Sequence, residues 1–311
     1  MNAASGSAPH RTDPPVVCLG EAIVDLVCER KVTSLADADS FRPHHGGALA
    51  NVAVACRRAG AEAALASGAG DDPWGRWLRG GLHSEGVDLR WFTLVTAAPT
   101  AMAVVTFGLD GEPGFLVYGE GIAAAMGSLE PRLAEAIGGA GALVFGSNTL
   151  VGEPERTLTL AARRLALERG APVLFDPNLR PTRWERLEPA LEMCRELCRG
   201  AFLVRVSDEE ARLITGESRP DAAAEELCRL GARLGVVTLG PDGALVRGEA
   251  QGEAPGVEVE VVSTMGAGDA FMGTLAAGLA NRGWEPAAAA EALPAAVEAS
   301  AAACTGWEAR P

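Results

Sequence analysis

The chain has 311 residues, with 41 acidic against 27 basic side chains, a net charge of −14 and 48% hydrophobic residues. That length fits one large α/β domain or two small ones and buries a sizeable core. A surface this acidic repels phosphate backbones and anionic lipid, which argues against nucleic-acid and membrane partners. Lys31 is the sole lysine, so no GxxxxGK[ST] phosphate loop exists, and a Schiff-base enzyme would have to use Lys31 itself. That lysine lies in the polar run Cys28-Glu29-Arg30-Lys31-Val32-Thr33, which reads as exposed. The cysteines are odd in number and form no CxxC pair, which argues for free thiols in a reducing compartment. Cys194 and Cys198 stand four apart on an expected helix, yet no second pair completes a metal site. The first thirteen residues are polar, without the apolar core of a signal peptide, and no apolar run is long enough to span a bilayer. Residues 1–13 are therefore expected to be a disordered tail, and the protein cytoplasmic.

In chain order, the first short apolar run is 16–19, followed by 23–41, which alternates loosely and holds no long helix. Segments 100–107 and 114–118 are strand-like and are joined by Gly108-Leu109-Asp110-Gly111-Glu112-Pro113-Gly114, a hairpin signal. From residue 143 the runs 143–145, 173–175, 202–206 and 236–239 recur at roughly the length of a βαβ unit. Between them, 153–169 opens on acids and closes on Arg169-Gly170, and 208–215 ends before Gly216, both marks of helices. Alanine-rich stretches 287–290 and 301–303 read as helix. Continuous apolar runs suit strands covered on both faces. The expected fold is α/β: a doubly wound, mostly parallel sheet flanked by helices. The segments at about 23–43 and 98–120 fall outside that rhythm and predict a small second sheet over one edge, a candidate lid.

The sharpest motif is Val261-Val262-Ser263-Thr264-Met265-Gly266-Ala267-Gly268-Asp269-Ala270-Phe271, a strand end, a turn of small residues and a helix start. Amides at a helix start form an anion site, aided by the helix dipole. An aspartate inside an anion site is contradictory unless it takes a proton from a hydroxyl that attacks a phosphoryl group. The plain alternative is a helix-capping aspartate. Gly46-Gly47-Ala48-Leu49-Ala50-Asn51 opens another helix; the glycines let a ligand approach the backbone and Asn51 suits a polyol, or the motif is only a tight strand-to-helix turn. Asp25 sits among apolar neighbours and is either a carboxylate for sugar hydroxyls or a surface acid. Asp176-Pro177-Asn178-Leu179-Arg180 and Thr238-Leu239-Gly240-Pro241-Asp242-Gly243 follow apolar runs, at the strand ends where open α/β sheets bind ligands.

The spaced pair of motifs, Gly46-Gly47 through Asn51 and Thr264 with Gly266-Ala267-Gly268-Asp269, resembles the two signatures of the ribokinase-like (PfkB) carbohydrate kinases, over roughly residues 14–311. Gly20-Glu21, the Asp176 to Arg180 motif and the following Trp184 look most like fructokinases and 2-keto-3-deoxygluconate kinases. The resemblance implies an ATP-dependent sugar kinase with a β lid, using Mg2+ and forming a homodimer through the lid. By that resemblance Asp269 is the base; Gly266, Ala267 and Gly268 form the anion hole; and Asp25, Gly46, Gly47, Asn51 and Arg180 hold the sugar. Asn178, Ser207, Thr238, Gly240 and Gly243 fall to the nucleotide, and Glu210 to magnesium indirectly. The chain departs from the family in three places. Ser207 replaces the Asn of an Asn-x-x-Glu motif. Ser263 replaces an aspartate near the expected monovalent-cation site, which predicts little potassium activation. The run Tyr118-Gly119-Glu120-Gly121 lacks the arginine that fructokinases often carry after the lid strand.

Rival readings are specific. Gly119-Glu120-Gly121-Ile122-Ala123-Ala124 matches a dinucleotide GxGxxA pattern after a strand, which would mean a dehydrogenase. A non-catalytic sugar sensor would explain Ser207 and Ser263, but has no use for Asp269. His44 and His45 are either ligands or the surface of a lid strand.

Overall fold

The computed structural model describes residues 14–307 apart from Asp110; the tail expected over 1–13 lies outside the described residues. The chain begins with β1 (Val16–Leu19), β2 (Ile23–Lys31), β3 (Arg42–Gly46), α1 (Ala48–Arg58), β4 (Ala63–Gly70) and α2 (Pro73–Ser84). Next come β5 (Phe92–Val95), β6 (Met102–Phe107), β7 (Pro113–Tyr118), α3 (Glu120–Gly127), α4 (Leu133–Gly138) and β8 (Ala142–Phe145). The second half alternates: α5 (Glu155–Glu168), β9 (Val173–Phe175), α6 (Leu187–Cys198), β10 (Leu203–Ser207), α7 (Asp208–Thr215), α8 (Pro220–Arg229) and β11 (Leu234–Thr238). It closes with β12 (Ala244–Gly248), β13 (Gly252–Ala254), α9 (Ala267–Ala280) and α10 (Ala288–Ala303).

Nine strands form one sheet in the order β13-β12-β11-β10-β9-β8-β1-β4-β5, parallel except for β12 and β13 at one edge. The sheet is doubly wound because alternate residues of β1 serve two cores. Val17 and Leu19 pack with side chains of α3 to α8, while Val16 and Cys18 pack with those of α1, α2, α9 and α10. Strand order reverses between β1 and β8, the switch point where such sheets open a crevice beyond their C-terminal ends. A second sheet, in the order β3-β2-β6-β7, is built from the segments that broke the βαβ rhythm. No helix among the described residues is long and apolar enough to cross a membrane.

Several local expectations change. Residues 257–262 form no strand before the 266–268 turn; the amides of Val262 and Ser263 donate to the Cys304 carbonyl at the end of α10 instead. The polar run at 28–33 is only partly exposed, since Cys28 and Val32 are buried beneath the small sheet. His44 and His45 lie on β3, His44 buried and His45 half-buried. His44 is buried with Nε2 3.0 Å from Glu29 Oε1, and His45 stacks on Trp77 at 3.8 Å. The dinucleotide-like pattern joins antiparallel β7 to α3, not two parallel strands, and so forms no nucleotide-binding crossover. Cys194 and Cys198 are buried thiols, and burial raises the pKa of Cys194 well above that of an ordinary thiol and pushes that of Cys198 up to about 12.

Candidate active site

The C-terminal ends of β1, β8, β9 and β10 deliver Glu21, Asn148, Asn178 and Ser207 to one cavity of about 450 Å³, a volume typical of small-ligand sites. The small sheet supplies its opposite wall through Ile23, Asp25, Phe115 and Val117. The N-termini of α1 and α9 meet at its floor, where Asn51 and Asp269 lie.

Asp269 is the third residue of α9 and is 7% exposed. It is not the cap, since Gly266 holds that position. Asn51 Nδ2 donates to Asp269 Oδ2 at 2.9 Å, and Asn178 Nδ2 donates to Oδ1 at 3.1 Å. Burial pushes its pKa up to about 6, opposed by the Asn51 hydrogen bond and by the charges of Arg180 and Arg205. A carboxylate held at both oxygens, with a pKa just below neutrality, is equipped to accept a proton. In the 266–268 turn, the Ala267 amide already donates to the Thr264 carbonyl at 3.3 Å.

Asp25 is 5% exposed, so it is no surface acid. Its side chain explains Gly46, which pairs with Ile23 across the β2–β3 ladder: a Cβ there would lie 2.1 Å from Asp25 Oδ2. Glu21 Oε1 accepts from the Ala48 amide at the start of α1 and from Asn148 Nδ2, which ties β1, α1 and the β8 loop together.

Ser207 and Glu210 form a capping box on α7. Ser207 Oγ accepts from the Glu210 amide, and Glu210 Oε2 accepts from the Ser207 amide at 2.8 Å. Glu210 Oε1 accepts from the Leu179 amide at 2.6 Å. Glu210 thus anchors the loop that presents Asn178, whose φ is +44°, to Asp269. The Asn178 side-chain amide is thus bonded to Asp269, and the Ser207 hydroxyl caps α7. Arg180 lies beside this loop with its guanidinium 5.2 Å from the Phe115 ring centroid.

The family model described as pfkB family carbohydrate kinase matches residues 13–310. The chain belongs to the pfkB family of carbohydrate kinases. It is 38% identical over 262 residues to fructokinase-1 of Zea mays, covering 84% of this chain and 81% of that protein. Among solved structures, aminoimidazole riboside kinase from Salmonella enterica, complexed with aminoimidazole riboside and an ATP analogue, superposes with a TM-score of 0.80 at 30% identity, covering 95% of each chain. Fructokinase from Vibrio cholerae O395, in a form with fructose, ADP and calcium, gives a TM-score of 0.80 at 28% identity over 95% of this chain and 94% of that one.

This carbohydrate kinase is therefore a sugar phosphotransferase. Of the residues singled out from sequence, Asp25, Gly47, Asn51, Arg180, Glu210 and Asp269 line the cavity together, as do Asn178, Ser207, Gly266 and Gly268. Gly46 and Ala267 stand one residue behind it, and Thr238, Gly240 and Gly243 lie outside it at the end of β11. Sequence reasoning missed Arg205. Its Nη2 donates to Thr238 Oγ1 at 2.7 Å, and its Nη1 lies 3.4 Å from Asp176 Oδ2. Burial raises the Asp176 pKa while Arg205 opposes the shift. The signal was present, since one arginine interrupts an otherwise apolar central strand.

Proposed function

We propose that this kinase transfers the γ-phosphoryl group of ATP to a hydroxyl of a monosaccharide, with fructose the favoured acceptor. Its curated relatives are fructokinases, which supports the choice of sugar. The observation that carries the reaction is Asp269, held by Asn51 and Asn178 at the start of α9 and facing a cavity that Asp25 also lines. In this assignment Asp25 and Asn51 orient the sugar hydroxyls. Asp269 takes the proton of the attacking hydroxyl as the new O–P bond forms and the bond to the departing ADP breaks. The helix start at the 266–268 turn attracts the transferring oxygens. Thr238, Gly240 and Gly243, beyond the cavity floor, are assigned to the rest of the nucleotide. The small sheet acts as a lid, excluding water from the phosphoryl group.

The residues fit magnesium carried by the nucleotide. Among the described residues no group of three or more His, Cys, Asp or Glu is arranged to cage a metal, and both Glu210 oxygens are engaged by backbone amides. Glu210 would hold the ion through water, and the ion when bound neutralises charge on the phosphoryl oxygens. Ser263, whose Oγ accepts from the Met265 amide, offers a monovalent cation no charge. The outer face of the lid exposes Leu116 and Tyr118, and contact with a second copy is assigned there. The free thiols suit the cytoplasm.

One observation favours a second substrate class. Arg180 and Arg183 both line the cavity, and paired guanidinium groups suit the carboxylate of a sugar acid. Sugar-dependent ADP release, measured over a panel of ketoses, aldoses and 2-keto sugar acids, tests both. Fructose is expected to give the highest kcat/KM; turnover with no member of the panel would refute the assignment.

A further inference from the structure

Arg205 is a charged side chain on an interior strand: β10 is paired on both sides, and the residue is 8% exposed. Burying a guanidinium is costly unless its charge and its donors are matched. These are matched only in part. Nη2 has its short bond to Thr238 Oγ1, but Nη1 reaches each Asp176 oxygen at 3.4 Å, long for a charged pair, and Nε has no hydrogen-bond partner.

What the guanidinium approaches closely is the turn at the start of α9. A Cβ on Gly268 would lie 2.7 Å from Nη1 and 3.0 Å from Nη2, so glycine is needed there to let the turn rest on the arginine. Arg205 also lines the cavity, 5.8 Å from the Phe271 ring, and its charge reaches Asp269. Lysine cannot serve here, because Lys31 is exposed at the far end of β2. Arg180 belongs to the opposite wall, against Phe115.

We propose that Arg205 is a phosphate-binding catalytic residue, whose under-used N–H groups hold the oxygens of the terminal phosphate from beneath the 266–268 turn. The inference rests on the kinase assignment and deepens it. A helix start offers only partial charge, and one of its amides is already spent on Thr264. A planar guanidinium adds a full charge and a fork that matches phosphate oxygens. The alternative is that Arg205 only neutralises Asp176.

The test compares full-length Asp176→Asn with Asp176→Asn/Arg205→Gln, so that no unpaired carboxylate is left behind. Dissociation constants for magnesium–ADP and for a nonhydrolysable magnesium–ATP analogue are measured, together with kcat on fructose. Adding Arg205→Gln is expected to weaken the ATP analogue about tenfold, to change ADP binding less than about threefold, and to lower kcat about 10²-fold. Equal weakening of the two nucleotides, or no effect of Arg205→Gln in that background, would overturn the proposal. Arg205→Lys keeps a cation for Asp176 but lacks the fork, and decides the matter if the glutamine variant does not fold. Its kcat is expected to fall about tenfold, and an unchanged kcat overturns the proposal. A wild-type protein that phosphorylates no sugar would refute the kinase assignment, while the nucleotide comparison would still decide the role of Arg205.

Discussion

Asn51 and Asp269 stand 218 positions apart in the chain, yet the amide of one donates to the carboxylate of the other at 2.9 Å. The bond joins α1 to α9 at the point where both helices begin, so α1 sets the orientation of the proposed base. In the proposed assignment, sugar binding and proton transfer thereby share one rigid element.

The Asp269 pKa makes activity pH-dependent. Only the ionised carboxylate accepts a proton, so kcat/KM is expected to fall as pH drops through about 6 and to level off above it. The Asn51 hydrogen bond lowers that pKa, so Asn51→Ala moves the acid limb to higher pH. Stability carries the opposite sign. The folded protein keeps the Asp269 proton up to about 6, but the unfolded chain only to 3.8, so this group's contribution is lost as pH rises across that window. Rate and melting profiles between those limits check both, with Asp269→Asn as the control that abolishes the stability term.

Gly46→Ala tests the sugar wall. A Cβ 2.1 Å from Asp25 Oδ2 must displace that carboxylate, since β3 is fixed by its ladder to β2. The sugar KM is expected to rise about tenfold or more, with nucleotide affinity unchanged. Steady-state kinetics in both substrates check it; a matched loss for ATP would place Asp25 elsewhere.

Much of this site was legible because its chemistry is written in short motifs. Gly46-Gly47 and Gly266 to Asp269 name their own geometry, and β1 and β9 stand out as unbroken apolar runs. The strand β4 was not seen, because Ala63 to Gly70 carries mostly alanine and glycine, residues with little preference for strands. Its small side chains are explained only by the fold, which buries all eight positions. Arg205 was hidden for the opposite reason: four hydrophobic neighbours, Phe202, Leu203, Val204 and Val206, made its segment read as uniformly apolar. The expected strand before Ser263 failed because Val261 and Val262 find no ladder partner, and Val261 stays exposed.

Arg180→Ala separates the two substrate classes. The guanidinium lies over Phe115 and borders the cavity, where it would meet a substrate carboxylate. KM for a 2-keto sugar acid is expected to rise more than KM for fructose. An equal rise for both would remove Arg180 from substrate recognition.

Potassium should matter little. Ser263 is fully buried and its hydroxyl is engaged by the Met265 amide, so the expected cation position lacks a carboxylate. Replacing choline by potassium at constant ionic strength is expected to leave kcat nearly unchanged. A strong activation would show that other groups hold the ion.

The most direct measurement is single-turnover phosphoryl transfer by Asp269→Asn. Asparagine keeps the size of the side chain and can still bond Asn51 or Asn178, but it cannot take the proton of the attacking hydroxyl. The transfer rate is expected to fall about 10²-fold or more, while sugar and nucleotide affinities stay near those of the wild type and the melting temperature above pH 7 is not lowered. A variant that keeps more than about a tenth of the wild-type rate would contradict the assignment of Asp269 as the base.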